Sequence, residues 1–222
     1  MKTKKILIFS LLFMVYLSVF SQSSSISLGF GPNKMSGDIG GNGLKSLIND
    51  DLGYGASFGY RYVFPFNLGF KIFGNYESYR GKDTETYNDV RKHYFTSSEK
   101  SFGAQLEYVF LGNHFEDEEI PHSFYVFGGA KYVMYNSLLD GTTKYDDKTS
   151  GIFGGIGYQY RFSEYFSIGL EMKQTLYLSD KVDAYFPDMP NNKYTDTAFD
   201  AKIVFSYYIP IYQAPKHWNI NF

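Results

Sequence analysis

The stretch Gly151–Leu178, GIFGGIGYQYRFSEYFSIGLEMKQTLYL, predicts two long β-strands joined by a tight turn at Ser163-Glu164. Large apolar and aromatic side chains recur at alternate positions of each arm, and small, polar or charged residues fill most positions between them. The first set comprises Ile152, Ile156, Tyr158, Tyr160, Phe162, Phe166, Ile168, Leu170, Met172, Leu176 and Leu178. A period of two indicates strands whose two faces meet different surroundings.

Two features of these arms favour a membrane barrel over a soluble sandwich. Each arm is longer than the usual strand of about 5–6 residues. Small and charged side chains, among them Glu171 and Lys173, share one face, whereas aromatic side chains lie toward the ends of the other. A membrane barrel has this pattern, because lipid surrounds its exterior, aromatic girdles mark the interfaces and its interior is polar.

The composition of the 222-residue chain agrees with a β-rich protein. It holds 22 Tyr, 22 Phe and 22 Gly, residues that suit packed strands interrupted by turns. There is no cysteine, which excludes disulfides, a thiol nucleophile, thiolate metal sites and a lipoprotein anchor. The formal net charge of −2 gives no basic field for nucleic acid.

Residues 1–21 are predicted to form a cleaved signal peptide. Lys2, Lys4 and Lys5 precede the apolar run Ile6–Phe20, and Val19-Phe20-Ser21 offers small residues at the cleavage site. The alternative, a membrane-spanning helix, needs about 20 apolar residues, and this run is shorter. The mature chain would start at or near Gln22, and an exported chain of alternating strands suits a bacterial outer membrane.

The remaining chain predicts an all-β fold, an eight-stranded antiparallel up-and-down transmembrane barrel over residues 22–209. Besides the two arms of the opening stretch, the expected strands are Ser25–Gly31, Leu52–Phe64, Leu68–Arg80, Ser101–Leu111, Ser123–Ser137 and Thr197–Ile209. The long loops expected between strands are Pro32–Asp51, Gly81–Lys100, Asp140–Thr149 and Ser179–Asp196. Long loops alternate with short connections, so these loops are assigned to the extracellular side and the short turns to the periplasm.

The inward faces of these strands carry charges of both signs. The cations are Arg61, Lys71, Lys131, Arg161, Lys173 and Lys202, and the anions are Glu77, Glu107, Glu171 and Asp200. For the fifth strand we choose the parity that turns Lys131 inward. Opposite charges can pair in a closed interior, and eight strands leave a bore that side chains just fill. We therefore predict no open pore; the alternative is a narrow proton or solute path.

Two clusters could bind a metal ion, and an ordinary polar loop is the favoured interpretation of each. His114 and His122 flank the acidic run Glu116–Glu119, without the short, regular ligand spacing of a metal site. Asp180, Asp183 and Asp188 lack a tight calcium loop. No metal or cofactor is expected.

A third cluster bears on catalysis. His93, Ser97, Ser98 and Glu99 contain the residue types of a hydrolase near the predicted outer rim. Their spacing does not set a nucleophile against a base, so a non-enzymatic protein is expected.

Several short motifs resemble the PorG-like outer-membrane barrels of Bacteroidota. They are Ser27–Gly31 with Gly37-Asp38-Ile39-Gly40, Phe127-Gly128-Gly129-Ala130, Gly154-Gly155-Ile156-Gly157-Tyr158 through Leu170-Glu171, and Tyr177-Leu178-Ser179-Asp180-Lys181-Val182-Asp183. The resemblance implies a non-enzymatic component of the type IX secretion system or the related gliding apparatus. It also implies partners, a periplasmic ring lipoprotein and its companion protein, which the barrel ties to the outer membrane.

Two other functions stay open. A generic small barrel similar to OmpX or OmpA would act in adhesion or membrane integrity through its outer loops. A barrel enzyme acting on lipid is the third possibility.

If the barrel anchors a periplasmic machine, two periplasmic segments are the expected contacts. Gly112–Pro121 is longer than a hairpin needs, and Pro210–Phe222 forms a tail with the only tryptophan. The candidate partner-binding residues are Glu116, Asp117, Glu118, Glu119, Tyr212, Trp218 and Phe222. Alternatively the acidic run is a solvated turn, and the tail lies in the headgroup region or returns to the rim.

Overall fold

The protein folds as eight β-strands, as seen in a computed structural model that describes residues 23–36, 52–64, 67–82, 93–111, 121–179, 182 and 196–210. The strands are β1 (Ser23–Ser36), β2 (Gly53–Val63), β3 (Leu68–Lys82), β4 (Tyr94–Leu111), β5 (His122–Leu139), β6 (Thr143–Arg161), β7 (Phe166–Tyr177) and β8 (Thr197–Ile209). The predicted signal peptide, residues 1–21, lies outside the described residues, as does the tail beyond Pro210.

Every strand pairs antiparallel with its neighbours in the sequence, and β1 pairs with β8 to close the barrel. The closing register runs from Ser24 opposite Ile209 to Ser36 opposite Thr197. The predicted all-β, eight-stranded up-and-down barrel is therefore confirmed. Within the described ranges, no helix is long and apolar enough to cross a membrane.

The faces of the opening stretch are those that its alternation predicts. In β6, Ile156 is 57% exposed, whereas Gln159 is 5% exposed and faces the interior. The β6–β7 register places Ile156 opposite Met172 on the outer face. The chosen parity of the fifth strand is also correct, because Lys131 is buried and Met134 is exposed.

Three of the four predicted loops are wrong in extent. Residues 94–100, assigned to the loop Gly81–Lys100, belong to β4 and pair with β5. Residues 143–149, assigned to the loop Asp140–Thr149, belong to β6. In these two stretches most side chains on both faces are polar, so the hydrophobic alternation weakens while the backbone pairing continues. The first strand is extended in the same way, and β1 reaches Ser36.

Only residues 140–142 connect β5 to β6. Asp140 and Gly141 have φ angles of 51° and 70°, and the Thr142 N–H donates to the Leu139 carbonyl over 3.1 Å. Positive φ at successive turn residues favours Asp-Gly, which is the sequence here.

The strands β4, β5 and β6 are 18, 18 and 19 residues long, compared with 11 in β2 and 12 in β7. Their outer ends form, with the end of β3, a sheet that extends beyond the rest of the barrel on the loop side. We call residues 79–82, 94–100, 134–139 and 143–150 the projecting sheet. β7 pairs with β6 from Tyr177 opposite Gly151 inward, and the Leu178 N–H donates to the Ser150 carbonyl over 2.8 Å at the base of the projecting sheet.

Aromatic side chains lie at both ends of the apolar outer band. Phe162, Phe166 and Tyr207 are exposed at the end with the short connections, and Phe102 and Tyr132 are exposed toward the loop side. Such girdles mark the two membrane interfaces of outer-membrane barrels.

Candidate functional site

The charged interior is the first candidate site, and its inner half is organised around Arg61. The Arg61 Nε donates to Glu107 Oε2 over 2.5 Å, and Arg61 Nη1 donates to Gln159 Oε1 over 2.9 Å. The guanidinium also lies 4.6 Å from the centre of the Tyr125 ring. Arg61 and Glu107 face each other because the alternation of β2 and β4 turns both inward. A planar guanidinium with several donors suits such a buried network.

A second pair lies beside this network. Lys71 Nζ is 2.8 Å from Glu171 Oε1, and the same oxygen accepts a 2.8 Å hydrogen bond from the Tyr125 hydroxyl. Tyr125 therefore links the Lys71–Glu171 pair to Arg61, and the two pairs form one connected network.

In the outer half of the bore, Glu77 is surrounded by three lysines. Its carboxylate oxygens lie 2.5 Å from Lys202 Nζ, 3.2 Å from Lys131 Nζ and 3.6 Å from Lys173 Nζ. Lys131 Nζ is also 2.5 Å from Glu99 Oε1, and Lys173 Nζ is 3.2 Å from Asp200 Oδ2. An unpaired charge here would be costly, and each of these side chains has an opposite charge beside it.

Two inward tyrosines complete the outer cluster. The Tyr177 hydroxyl donates to Glu99 Oε2 over 2.5 Å, and the Tyr79 hydroxyl donates to Glu77 Oε2 over 2.7 Å. The two hydroxyl oxygens are 3.1 Å apart. Both tyrosines are fully buried, so their rings fill the bore while their hydroxyls satisfy the carboxylates.

An apolar cluster closes the bore above these tyrosines. Around Tyr79 and Tyr177 it comprises Met35, Phe95, Val133, Tyr135, Val182 and Ala198. Val182 comes from the segment after β7 and is fully buried. Its N–H donates to Asp196 Oδ2 over 2.8 Å, and its carbonyl accepts from the Ser137 hydroxyl over 2.7 Å. These bonds hold Val182 at the mouth of the barrel.

Little space remains between the two halves. A cavity of about 20 Å³ is lined by residues that include Lys71, Lys173 and Asp200. Such a cavity is large enough for about one water molecule. Asp200 Oδ2 faces Lys173 Nζ at 3.2 Å, whereas Oδ1 has no donor among the described residues, so a water there would have an acceptor. Between the two halves, side chains of the described residues therefore fill the bore, as expected for eight strands.

Of the inward charges predicted from the sequence, Arg161 lies apart from this network. Its Nη2 donates to the Glu164 carbonyl over 3.0 Å, and its guanidinium carbon lies 4.1 Å from the centre of the Tyr208 ring. It therefore belongs to the rim with the short connections. Glu99, in contrast, was missed as an interior residue because it falls in the predicted loop Gly81–Lys100. The sequence around Glu99 offered no clear signal, because the residues of both faces there are polar.

The structure separates the members of the possible hydrolase cluster. His93 Nδ1 is 2.7 Å from Asp140 Oδ2, at the tip of the projecting sheet. The Ser97 hydroxyl bonds the Ser137 hydroxyl over 2.7 Å inside the barrel, and Glu99 binds Lys131. Ser98 lies on the opposite face of β4 from Ser97. In the described part of the chain His93 is therefore paired with Asp140 and not with Ser97, Ser98 or Glu99.

Asp140 is an acceptor for two groups. Its Oδ1 accepts from the Tyr94 N–H over 3.0 Å, and Oδ2 contacts His93. The backbone hydrogen bond from Tyr94, and after it the bond with His93, hold the pKa of the Asp140 carboxyl below its usual value. The pair fixes the turn at residues 140–142.

In the possible metal cluster around the acidic run, one histidine, His122, is hydrogen-bonded to a neighbouring tyrosine. His122 Nδ1 is 2.6 Å from the Tyr158 hydroxyl, and its ring stacks on the Tyr158 ring. His114, the acidic run and the aspartates Asp180, Asp183 and Asp188 lie outside the described residues. Among the residues that the structure describes, no three His, Asp or Glu side chains are grouped to hold a metal ion.

The candidate partner-binding residues also lie outside the described part of the chain. They are Glu116, Asp117, Glu118, Glu119, Tyr212, Trp218 and Phe222. The structure does describe where their segments begin. Leu111 ends β4, Pro121 precedes β5 and Pro210 follows β8, all at the end of the barrel with the short connections.

Comparison with known proteins agrees with this architecture. A family model described as "Outer membrane protein beta-barrel domain" matches residues 7–206. No curated protein matches the chain. Together, the closed barrel and the family match place the protein in the cell outer membrane.

Three solved structures illustrate the similarity of fold. A major outer membrane protein from Thermus thermophilus has a TM-score of 0.53 at 9% identity, covering 84% of this chain and 98% of that chain. Neisserial surface protein A has a TM-score of 0.51 at 13% identity, covering 83% and 96%. Ail, the attachment invasion locus protein of Yersinia pestis, has a TM-score of 0.48 at 18% identity, covering 84% and 98%. At these identities the likeness concerns the fold alone.

Proposed function

The chain belongs to the outer membrane protein beta-barrel domain family, and we propose that it serves as a non-enzymatic anchor for a type IX secretion or gliding complex. The motifs that resemble PorG-like barrels of Bacteroidota supply the identity of the complex. The partners would be a periplasmic ring lipoprotein and its companion protein.

The observation that carries the proposal is the filled, charge-balanced bore. Among the described residues, the ion pairs of the bore join equal numbers of cations and anions: Arg61, Lys71, Lys131, Lys173 and Lys202 with Glu77, Glu99, Glu107, Glu171 and Asp200. The apolar cluster around Val182 closes the mouth above them. A barrel built in this way is suited to act through its ends, as a fixed point in the membrane, rather than through transport.

The periplasmic end offers the contacts that such an anchor needs. The acidic run Glu116–Glu119 supplies charge for steering a basic partner, and Tyr212, Trp218 and Phe222 supply aromatic anchors. Both segments leave the barrel from the rim with the short connections, which is the periplasmic rim.

Deletion of the gene in the native host tests the role. We expect loss of secreted cargo or of gliding while surface adhesion stays intact, because the complex loses its fixed point. Normal secretion and motility in the deletion strain would refute the proposal. Affinity purification in mild detergent, followed by mass spectrometry, identifies the partners.

Two variants locate the docking segments. Truncation after Gln213 leaves β8 complete, so the barrel should stay folded and heat-modifiable while recovery of the complex weakens. Replacement of Glu116–Glu119 by Gln and Asn should make the recovered complex less sensitive to salt, because screening acts on the charges removed. Normal recovery and normal secretion by both variants would exclude periplasmic docking through these segments.

A second function, adhesion or membrane integrity through the outer surface, is favoured by the projecting sheet. Its strands extend beyond the apolar band and expose polar faces, which suits contact with an external surface. A strain in which residues 140–142 and the flanking ends of β5 and β6 are shortened would lose adhesion if this function holds. The same strain would keep secretion if the barrel acts as the periplasmic anchor.

A further inference from the structure

The outward face of the projecting sheet carries basic side chains in two rows. In the lower row, Tyr76, Lys100, Met134 and Lys148 are paired consecutively across β3, β4, β5 and β6. The upper row, four residues further along each strand, holds Arg80, Thr96, Leu138 and Lys144. Adjacent strands are about 4.8 Å apart, so Lys100 and Lys148 are separated by about 10 Å on either side of Met134.

The lower row lies directly above the outer aromatic girdle. The next row toward the membrane contains Phe102 and Tyr132, whose ring centres are 5.3 Å apart. Below them the outward positions are apolar, among them Ile72, Ala104 and Ile152. Since aromatic girdles mark the interface, Lys100 and Lys148 are at the depth of the lipid headgroups.

The ammonium groups of Lys100 and Lys148 and the guanidinium of Arg80 make no ion pair with any residue in the described ranges, and all three side chains are exposed. The anion of this face, Asp146, is already engaged. Its Oδ2 lies 3.0 Å from Lys144 Nζ, and its Oδ1 accepts a hydrogen bond from the Asn136 amide.

The basic face is confined to one side of the barrel. At the outer ends of β7, β8 and β2 the described outward positions are uncharged: Leu178, Thr197 and Tyr54. On the described part of β1 the cation at such a position, Lys34, is buried and has an interaction partner of its own. A general adaptation to an anionic surface would distribute cations around the whole rim. A one-sided cluster indicates a defined position for an anionic ligand.

We propose that Lys100, Lys148 and Arg80 bind the phosphate groups of the glycolipid that forms the outer leaflet. In this arrangement the lysines hold phosphates at headgroup depth, Met134 and the Phe102–Tyr132 pair contact the acyl chains, and Arg80 reaches the headgroup from above. Arginine and lysine are the side chains that recognise phosphate, and long basic side chains extend readily along such an interface. This site does not depend on the secretion role.

The test uses the purified full-length barrel in detergent micelles, with diphosphorylated lipid A as the probe and calorimetric titration as the measurement. The double variant K100Q/K148Q should bind the probe about thirty-fold more weakly, which corresponds to about 1 kcal/mol for each lysine near an anionic lipid surface. Binding of lipid A from which both phosphates have been removed should be weak and equal for the native protein and the variant.

K144Q is the matched control for the Lys148 substitution, because it also removes one positive charge from β6. Lys144 is already paired with Asp146 and lies further from the membrane, so its loss should change affinity less than three-fold. Heat-modifiability on gels verifies that each variant is folded, and the single variant R80Q provides an independent readout with a smaller loss of affinity.

Three results would overturn the proposal. One is native affinity of K100Q/K148Q for diphosphorylated lipid A. Another is equally tight binding of the dephosphorylated lipid by the native protein, which would assign the contact to acyl chains. The third is complete displacement of the probe by millimolar inorganic phosphate, which would assign the cations to free anions.

Discussion

Lys131 Nζ lies 2.5 Å from Glu99 Oε1, and neither side chain reaches solvent. The same ammonium group is 3.2 Å from Glu77 Oε2, so one lysine on β5 faces two carboxylates, from β3 and β4. The Tyr177 ring, with its centre 5.0 Å from Lys131 Nζ, covers the cation. Lys131 therefore ties β5 to its neighbour β4 and also to β3, with which β5 does not pair.

Lys131→Met should lower the free energy of unfolding by about 3–5 kcal/mol, because it leaves a buried carboxylate without its cation. Urea unfolding in phosphatidylcholine vesicles, followed by gel heat-modifiability, measures the loss. The double variant Lys131→Met/Glu99→Gln should recover part of it, since the orphaned charge is gone. Equal instability of the single and double variants would contradict this account.

Replacement of Ile168 or Leu170 by Arg should cost about 2–4 kcal/mol if the position is near the bilayer midplane, because these side chains face lipid. Ser167→Ala is the matched change on the inner face. It removes the acceptor of a 2.6 Å hydrogen bond from Gln159 Nε2 and should cost about 1 kcal/mol. Similar costs on both faces in vesicle unfolding would refute the assigned alternation.

Gly128 and Gly129 are adjacent in β5 and should respond differently to alanine. A Cβ on Gly129 would lie 2.2 Å from the Ala104 carbonyl oxygen and 2.8 Å from Phe153 Cζ, so the backbone must shift at a cost of about 1–3 kcal/mol. A Cβ on Gly128 meets only the Phe153 carbonyl oxygen, at 3.5 Å. Gly128→Ala should therefore change stability by at most about 0.5 kcal/mol. Equal effects in the same unfolding assay would disprove the close approach at Gly129.

The contacts of Asp140 should make the projecting sheet sensitive to acid. The pKa of this carboxyl is lower in the folded protein, so its ionised form contributes to the stability of the turn. That contribution is complete above the usual aspartate pKa of about 3.9 and is lost as the pH falls through the lower folded pKa. A carboxyl ¹³C NMR titration in micelles should give a midpoint below that usual value. In His93→Phe the midpoint should rise only in part, because the Tyr94 N–H is the larger cause. A native midpoint at or above the usual value would be incompatible with these hydrogen bonds.

The strands that cross the membrane could be predicted because apolar, lipid-facing residues alternate along them with residues that face the interior. Thr197–Ile209 was predicted with the same ends that β8 has, and both arms of the opening stretch face as expected. Each of these segments alternates between lipid and a packed interior, so every second residue reports its environment.

The outer ends of the strands could not be predicted in the same way. Around Glu99 the residues of both faces are polar, so the sequence resembles a loop although the backbone stays paired with β5. The inward tyrosines were not singled out either, because aromatic residues fit the lipid face as well. Tyr177 faces inward by the parity of β7, but the partner of its hydroxyl, Glu99, lies 78 positions earlier in the chain. Pairings at such separations leave no local periodicity.

The pairing of β1 with β8 has a consequence for how the protein is made. The strands that close the barrel, β1 and β8, are its first and last. Each therefore lacks one of its two pairing partners until the other strand has been made and folded against it. Contacts at such sequence separation form slowly, because nearly the whole chain must be looped to bring them together. Until then the growing sheet has two open edges, and open edges recruit other strands. Quality control in the cell can therefore distinguish complete from incomplete chains by one feature, the pairing of β1 with β8. Only a chain with an intact Thr197–Ile209 segment can form this pairing.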